Sequence, residues 1–229
     1  MPANLPPHHR ILEGLITTVS QAEDFLALDA SRDPALLALI NIAPMGPIVD
    51  DAMTTLILRP FTSSTTYRNL KATGQGVFHV TDDALLIARG AIGKIAARWN
   101  DAARAQTAGS DDSRVAVNHA QHIRGVVLAD ACRYFEFEVV ALDDSQDRTH
   151  IEAKVVYAAT QREFFGFNRA KHAILEAAIL ATRLHLTGTA PVLAEFDKLQ
   201  LAIDKTGAEA EHQAMKELRE FVARSHAET

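Results

Sequence analysis

The segment LRPFTSSTTYRNLKATG, residues 58–74, concentrates groups that could bind an anion. Between Arg59 and Arg68 stands an unbroken row of hydroxyl side chains: Thr62, Ser63, Ser64, Thr65 and Thr66. A helix start leaves backbone N–H groups without partners and carries about half a positive charge, so hydroxyls and arginines beside it suit an anion. The plain alternative is a turn in which one hydroxyl caps the helix and the others face water.

A second group of polar residues opens a later helix, in GFNRAKH, residues 166–172. Asn168 suits the N-cap, but Arg169, Lys171 and His172 put positive charge in the first turn, where it opposes the helix dipole. An anionic cofactor group or an acidic substrate would offset that charge. Acidic partners within the chain, which holds 29 Asp and Glu residues, are the alternative.

Other catalytic patterns are absent from the sequence. The histidines show neither HExxH nor HxxxH spacing, and the single cysteine, Cys132, cannot build a thiolate cluster, so we expect no metal site. GxGxxG, GxxxxGK[ST] and GxSxG are missing as well, which removes the usual signals for dinucleotide-binding, P-loop and α/β-hydrolase folds. His79 follows the hydroxyl-rich helix and is either a core histidine or a ligand contact.

Composition narrows the class of protein. The net charge of −6 and the pI near 5.9 argue against nucleic-acid binding, which needs a basic face. No stretch is long and apolar enough to span a membrane, and the opening MPANLPPHHRILEG has no signal-peptide core. We therefore expect a soluble, cytoplasmic protein.

The elements that must position these residues follow from hydrophobic periodicity and from Gly and Pro. Strands are predicted at 10–20, 36–50, 53–59, 77–83, 132–144 and 149–160, and helices from Thr65 or Thr66 to Gly74, at 84–100, at 167–186 and on both sides of Gly207. Pro44 and Pro47 place the second strand at an edge or outside regular pairing. The strand at 132–144 alternates, with Tyr134, Glu136 and Glu138 on its polar face. Residues 100–114 are predicted to form a surface loop. The fold class is α+β: a mainly antiparallel β domain, residues 1–160, and a helical part, residues 161–229.

The order of these motifs resembles the FMN-binding split-barrel superfamily of flavin reductases over most of residues 10–160. INIAPMGPI is similar to the strand beside the isoalloxazine ring, and SSTTYRNLKATGQGVFHV to the hydroxyl-rich turn, helix and strand. Together with ILEGLITT, DACRYFEFEV and FFGFNRAKHAILEAAILATRLHL, they resemble the uncharacterised domain-of-unknown-function family 447 through nearly the whole chain. That family implies a split β-barrel with a helical C-terminal extension.

The resemblance also implies a cofactor and its contacts. FMN would place its phosphate at Arg59 and the hydroxyl row, and its ring along main-chain groups of Asn41, Ile42, Ala43, Met45 and Gly46. Asn168, Arg169 and Lys171 would reach the cofactor or bind the substrate. His79 stands where flavin reductases usually have Asn, which gives it a possible proton-transfer role.

The implied function is that of an FMN-binding oxidoreductase, with an electron donor such as NAD(P)H and a small-molecule acceptor. A homodimer with FMN at or near the interface is also implied. Two alternatives stay open. One is a non-catalytic FMN carrier or regulatory module, and the other is a structural dimer that has lost the flavin.

Overall fold

The chain folds into a strand-rich unit and a helical unit, and the computed structural model describes residues 10–20, 34–100 and 114–227. The strand-rich unit comprises Met1–Val80 and Ala96–Glu163, and the helical unit comprises Thr81–Ile95 and Phe164–Thr229. The helical unit thus contains Thr81–Ile95 in addition to the predicted C-terminal part. The predicted loop at 100–114 lies outside the described residues except for its two ends.

The helices and strands have the following bounds. The strands are β1 Arg10–Ile11, β2 Gly14–Val19, β3 Ile40–Met45, β4 Ile48–Val49, β5 Thr55–Leu58, β6 Gln75–Val80, β7 Ala96–Trp99, β8 Arg114–His119, β9 Val126–Leu128, β10 Arg133–Asp143 and β11 His150–Thr160. The α-helices are α1 Thr65–Thr73, α2 Ala84–Ala91, α3 Arg169–Thr182, α4 Leu184–Thr187, α5 Thr189–Thr206 and α6 Glu209–Ala227. A 3₁₀ helix at Pro34–Leu39 leads into β3.

The main sheet has eight strands in the order β1-β4-β5-β11-β10-β6-β2-β3. Every neighbouring pair in it is antiparallel. β3 stands at one edge of this sheet, which is one of the two arrangements predicted from Pro44 within the strand and Pro47 after it, because a proline has no N–H to donate to a ladder. A smaller sheet orders β7, β8 and β9, with β7 parallel to β8.

In the core of the strand-rich unit, buried side chains of the main sheet pack against one face of α1. Phe78 on β6 pairs with both Ile16 and Phe135, and its ring centroid lies 6.4 Å from that of Phe135. Leu70 of α1 is 1% exposed and completes the cluster. Burying side chains of this size stabilises the unit by about 1.5–3 kcal/mol each. The packing therefore fixes α1 against the sheet.

Three predictions about local structure are wrong. The predicted strand at 36–50 begins in the 3₁₀ helix Pro34–Leu39, and strand structure starts at Ile40. The predicted helix at 84–100 ends at Ala91, because Gly93 adopts a left-handed backbone with φ of 69° and the chain re-forms as β7. The predicted polar face of β10 is buried at Tyr134 and Glu136, which are 5% and 0% exposed. The segment Gln121–Ile123 covers it, and the Glu136 carboxylate accepts its backbone N–H groups at 2.7–3.2 Å.

The helical unit packs small residues on α3 against larger ones on α2, α5 and α6. Ala170, Ala173, Ala177 and Ala181 are at most 4% exposed, which lets neighbouring helices approach closely. Gly207 separates α5 from α6, as predicted. Among the described residues, no helix is long and apolar enough to cross a membrane.

Candidate functional site

The hydroxyl row forms the turn before α1, and Ser64 is the residue that caps the helix. Ser64 has an extended backbone, and its Oγ accepts a hydrogen bond from the N–H of Tyr67 at 3.1 Å. Gly74 ends the helix in the left-handed conformation with φ of 67°. The local signals in the sequence therefore placed both ends of this helix correctly.

The start of α1 carries positive charge and no acidic residue. The Arg68 side chain folds back over the turn, where Nη1 donates to the carbonyl of Ser63 at 2.6 Å and Nη2 to the Thr65 hydroxyl at 2.9 Å. The first turn of α1 contains no Asp or Glu. Thr65 and Thr66 are the first helical residues, so their N–H groups have no acceptor within the helix. An anion at this end would satisfy both the N–H groups and the charge.

Arg59 lies directly after β5 and carries the clearest unsatisfied group of the turn. Its Nε is buried, and it has no hydrogen-bond partner among the residues that the structure describes. A buried guanidinium N–H without an acceptor is costly, since hydrogen bonds to charged groups contribute about 1.5–3 kcal/mol. An external anion within hydrogen-bond distance of this nitrogen would supply the missing acceptor.

The rest of the turn is held by the hairpin that joins β10 to β11. The N–H of Thr62 donates to the carbonyl of Asp147 at 2.8 Å, and the Thr149 hydroxyl donates to the carbonyl of Pro60 at 2.8 Å. Arg148 places its guanidinium 5.8 Å from the centre of the Phe61 ring. Arg148 is therefore a third arginine at this turn, and no local pattern in the sequence indicates it.

The residues predicted to face a flavin ring lie on and after β3. Asn41, Ile42, Ala43 and Met45 belong to the strand, each of them partly buried, and Gly46 follows it. Among the described residues, β3 pairs with β2 on one side and with no strand on the other. The structure thus places the predicted ring contacts and the predicted phosphate contacts in the same strand-rich unit.

The two groups of residues are connected by side chains. Asn41 Nδ2 donates to the Thr66 hydroxyl at 3.1 Å and to the Thr18 hydroxyl at 3.3 Å. Asn69 Nδ2 donates to the same Thr18 oxygen at 3.1 Å. Thr66 is 3% exposed and faces this network with its hydroxyl, whereas the sequence reading placed it on the phosphate. Thr18 and Asn69 were not foreseen, since no local pattern distinguishes them.

His79 is a buried structural residue. Its Nδ1 lies 3.3 Å from the carbonyl of Leu15, and its Nε2 accepts from the N–H of Leu128 at 3.1 Å. The imidazole therefore carries its proton on Nδ1. Burial lowers the pKa of His79 to about 3, against a smaller opposing effect of the Leu15 carbonyl. Both ring nitrogens are occupied, which fits the core-histidine interpretation and does not support proton transfer.

The helix start at GFNRAKH is largely satisfied within the helical unit. Asn168 caps α3 by accepting from the N–H of Lys171 at 3.1 Å, and its Nδ2 donates to the carbonyl of Thr206 at 3.0 Å. Lys171 Nζ lies 3.3 Å from the Glu211 carboxylate and donates to the carbonyl of Asp82 at 2.7 Å. The acidic partner that the alternative interpretation required is thus Glu211. Arg169 is exposed and forms no ion pair within the described part of the chain.

The described residues contain no group of three or more His, Cys, Asp and Glu side chains that could hold a metal ion. The arginines, hydroxyls and unpaired N–H groups of the turn before α1 are donors, and donors bind anions. The candidate site is therefore an anion site at the start of α1, next to the edge strand β3.

Two family models match the chain. "Protein of unknown function (DUF447) N-terminal domain" covers residues 37–162, and "Protein of unknown function (DUF447)" covers residues 168–220. The chain belongs to this family. The family resemblance predicted from the sequence motifs is thereby confirmed. A comparison with curated proteins finds no match.

One solved structure shows the fold, and two others are more distantly similar. The FMN-bound protein MM1853 from Methanosarcina mazei, matched by the same family model, superposes with a TM-score of 0.66 at 21% identity, covering 92% of this chain and 94% of that one. The flavin reductase domain protein from Arthrobacter sp. FB24 gives a TM-score of 0.45 at 11% identity, covering 69% of this chain and 80% of that one. The styrene monooxygenase flavin reductase from Pseudomonas putida S12 gives 0.42 at 13%, covering 65% and 81%. The superposition on MM1853 shows the fold, a mainly antiparallel split barrel with a helical C-terminal part, as predicted.

Proposed function

We propose that this protein binds FMN, with the phosphate at the start of α1 and the isoalloxazine ring along β3. The observation that carries the proposal is the buried Arg59 Nε, which has no partner among the described residues; Arg59 stands in the segment that leads from β5 to a helix start free of acidic residues. MM1853, which has the same fold over nearly its whole length, is an FMN-bound protein. A phosphate carries the charge and the acceptor oxygens that this turn lacks.

The residues present fit the phosphate group, some through their side chains and others through their backbone N–H groups. Arg59, the hydroxyls of Thr62, Ser63 and Thr65, and the N–H groups of the first turn would donate to it. Ser64 and Thr66 would contribute through their backbone N–H groups, because their hydroxyls are already engaged. The Ser64 hydroxyl caps α1, and the Thr66 hydroxyl accepts a hydrogen bond from Asn41. The outer backbone edge of β3, from Asn41 to Gly46, would hydrogen-bond the polar rim of the ring.

The chemistry that bound FMN supplies is electron or hydride transfer, and the protein contributes binding, orientation and electrostatics. We propose an oxidoreductase that uses a reduced donor such as NAD(P)H and a small-molecule acceptor. A second candidate function is a non-catalytic FMN carrier. It is supported by His79, whose two ring nitrogens are engaged by the backbone of Leu15 and Leu128 and are therefore not available to transfer a proton. Arg169, exposed at the start of α3, stays in the proposal as a contact for an anionic group.

A homodimer is part of the same proposal. No strand of the described ranges pairs with the outer edge of β3, and apolar side chains are exposed elsewhere in the strand-rich unit, among them Phe61 at 53% and Val140 at 63%. Light scattering after size-exclusion chromatography tests this part separately. A mass near 50 kDa, twice the 25.0 kDa of the chain, is expected, and a monomer at micromolar concentration would contradict it.

The decisive experiment is a visible spectrum of the purified protein, before and after denaturation, followed by titration with FMN. Release of an FMN-type spectrum, or saturable binding of added FMN, is expected. A colourless protein that ignores added FMN would refute both functions. Anaerobic mixing of the yellow protein with NADH or NADPH then separates them, since rapid bleaching indicates an oxidoreductase and its absence with both donors favours a carrier.

A further inference from the structure

A buried hydrogen-bond network joins β2, β3 and α1, and Thr18 is its centre. The Thr18 hydroxyl accepts from Asn41 Nδ2 at 3.3 Å and from Asn69 Nδ2 at 3.1 Å, and Asn41 Nδ2 also donates to Thr66 at 3.1 Å. Thr18, Thr66 and Asn69 are 2%, 3% and 6% exposed. Buried amides and hydroxyls are stable when they are paired, so the four side chains hold one another in place.

The network connects the two halves of the proposed flavin site. Asn41 lies at the start of the edge strand that would carry the ring, and Thr66 lies in the first turn of the helix that would carry the phosphate. Within the described part of the chain, β2 is the one strand that pairs with β3, so the ladder to β2 is the one set of sheet hydrogen bonds that holds β3 in position. The Asn41 amide adds a direct tie to the helix.

We propose that Thr18 and Asn41 are positioning residues that fix the separation between the ring subsite and the phosphate subsite, an inference that rests on the proposed FMN function. FMN joins a ring and a phosphate through a short chain. When both subsites are held at the matching distance, binding of one end raises the effective concentration of the other. Weakening the hydrogen bonds of Thr18 and Asn41 reduces this gain in effective concentration, but it removes no contact to the ring or to the phosphate.

The prediction concerns a ratio of affinities. Riboflavin has the ring and lacks the phosphate, so the ratio of FMN affinity to riboflavin affinity measures what the phosphate contributes. Thr18→Val keeps the shape of the side chain and removes the acceptor that both amides share. We expect FMN affinity to fall about tenfold, the effect of losing roughly one such hydrogen bond. Riboflavin affinity should change less than about twofold, since its subsite on β3 is intact.

Thr17 supplies a matched control on the same strand. It is 1% exposed, and its hydroxyl donates to the carbonyl of Val126 at 2.6 Å, outside the network. Thr17→Val therefore removes an equally buried hydroxyl and should leave the ratio unchanged. Thr18→Ser retains the hydroxyl and should restore the ratio. If Thr18→Val fails to fold, Asn41→Ala makes the same test at a partly exposed position of an edge strand, where the backbone that would contact the ring is retained.

The experiment is a fluorescence titration of wild-type protein and the variants with FMN and with riboflavin, alongside urea unfolding without ligand. A lower ratio in Thr18→Val, with recovery in Thr18→Ser and no change in Thr17→Val, supports the inference. Equal loss of both affinities, an unchanged ratio, or the same fall in Thr17→Val overturns it while FMN binding stands. A wild-type protein that binds neither flavin overturns the proposed function itself.

Discussion

The N–H of Leu128 donates a hydrogen bond to Nε2 of His79 at 3.1 Å, which joins the small sheet to the main sheet through a neutral histidine. On its other side, the ring places Nδ1 3.3 Å from the carbonyl of Leu15 on the neighbouring strand β2. The backbone can donate to Nε2 only while that nitrogen carries no proton. This contact between the two sheets therefore requires that His79, which is fully buried, stays neutral.

This arrangement predicts a loss of stability in mild acid. The pKa of His79 is lowered to about 3 by burial, whereas an exposed histidine titrates near 6.5. Between these pH values the unfolded chain binds a proton that the folded chain excludes, so the contribution of His79 is complete above pH 6.5 and is lost as the pH falls toward 3. The free energy of unfolding should fall by up to about 1.4 kcal/mol per pH unit from this group.

Urea unfolding at pH 7.5 and pH 5 would measure the effect, with His79→Gln as the reference. The variant keeps polar atoms at the site and lacks the titrating group, so its stability should depend less steeply on pH than that of the wild type. Absolute stability is not the readout, because any substitution of a fully buried side chain lowers it. Identical pH slopes in the two proteins would contradict the assignment.

Arg59→Met tests the proposed phosphate contact. The substitution removes the guanidinium and its unpaired Nε but keeps much of the apolar stem, so the ligand-free protein should unfold at the same urea concentration or a higher one. FMN affinity should fall about tenfold to a hundredfold, because a charge-assisted bond contributes about 1.5–3 kcal/mol. Riboflavin affinity should stay the same, since riboflavin has no phosphate.

Arg124→Met is the matched control for charge. Arg124 is exposed, and its N–H donates to Gln75, which follows the last turn of α1, so it lies near the end of the helix opposite the proposed site. Loss of one positive charge there should leave both flavin affinities within about twofold of the wild type, given the screening between distant exposed charges. Equal effects of the two substitutions on FMN would show that Arg59 acts through net charge alone.

Much of this fold can be predicted from local sequence signals. The predictions that are wrong concern structure that is decided by tertiary contacts. α1 was predicted to its ends because Ser64 and Gly74 are caps that act within one turn. The predicted helix beyond Ala91 failed because its apolar residues suit the short strand β7 equally well. Glu136 was assigned to a polar face, since its covering segment lies 13–15 positions away in the sequence.

The candidate site divides in the same way. The hydroxyl row and Arg59 were visible because helix starts and clustered donors are local features of the sequence. The network around Thr18 was not visible, because it joins side chains 23, 25 and 51 positions apart. Single Thr and Asn residues carry no period that would indicate such a contact. Only the pairing of β2 with β3, and the packing of α1 on both, brings them together.

The helical unit should be sensitive to one buried ion pair. The Arg89 side chain contacts both carboxylate oxygens of Glu217, with Nη2 at 2.9 Å and Nε at 3.2 Å, which ties α2 to α6. Burial alone would raise the pKa of Glu217, but the hydrogen bonds from Arg89 and Gln213 lower it below its ordinary value. Glu217→Gln should therefore lower the free energy of unfolding by about 1.5–3 kcal/mol.

Glu195→Gln provides the comparison, because the Glu195–Lys198 pair has side chains 42% and 73% exposed. Its loss should change the free energy of unfolding by about 0–0.5 kcal/mol. Thermal unfolding followed by circular dichroism would report both values. As the pH falls below the ordinary pKa of a glutamate, the wild-type protein should lose its advantage over Glu217→Gln, since the carboxylate must take up a proton. Equal losses in the two variants at neutral pH would contradict the assignment.

Ser63 and Ser64 are adjacent hydroxyls for which we expect different roles. Ser64 caps α1 through its bond from Tyr67, so Ser64→Ala should lower the free energy of unfolding by about 1 kcal/mol. Ser63 is exposed, and Arg68 binds its backbone carbonyl, which the substitution retains, so Ser63→Ala should change stability by less than about 0.5 kcal/mol. For FMN affinity the order should reverse, with Ser63→Ala about tenfold weaker than the wild type.

Urea unfolding of the ligand-free proteins and fluorescence titration with FMN measure the two effects independently. Riboflavin serves as the control ligand, because neither serine is expected to contact the ring. If Ser64→Ala weakens FMN binding more than Ser63→Ala does, the Ser64 hydroxyl must reach the phosphate despite its bond from Tyr67. If neither variant affects FMN, the hydroxyl row serves only as a capped turn, and Arg59 and the N–H groups of α1 must hold the phosphate without it.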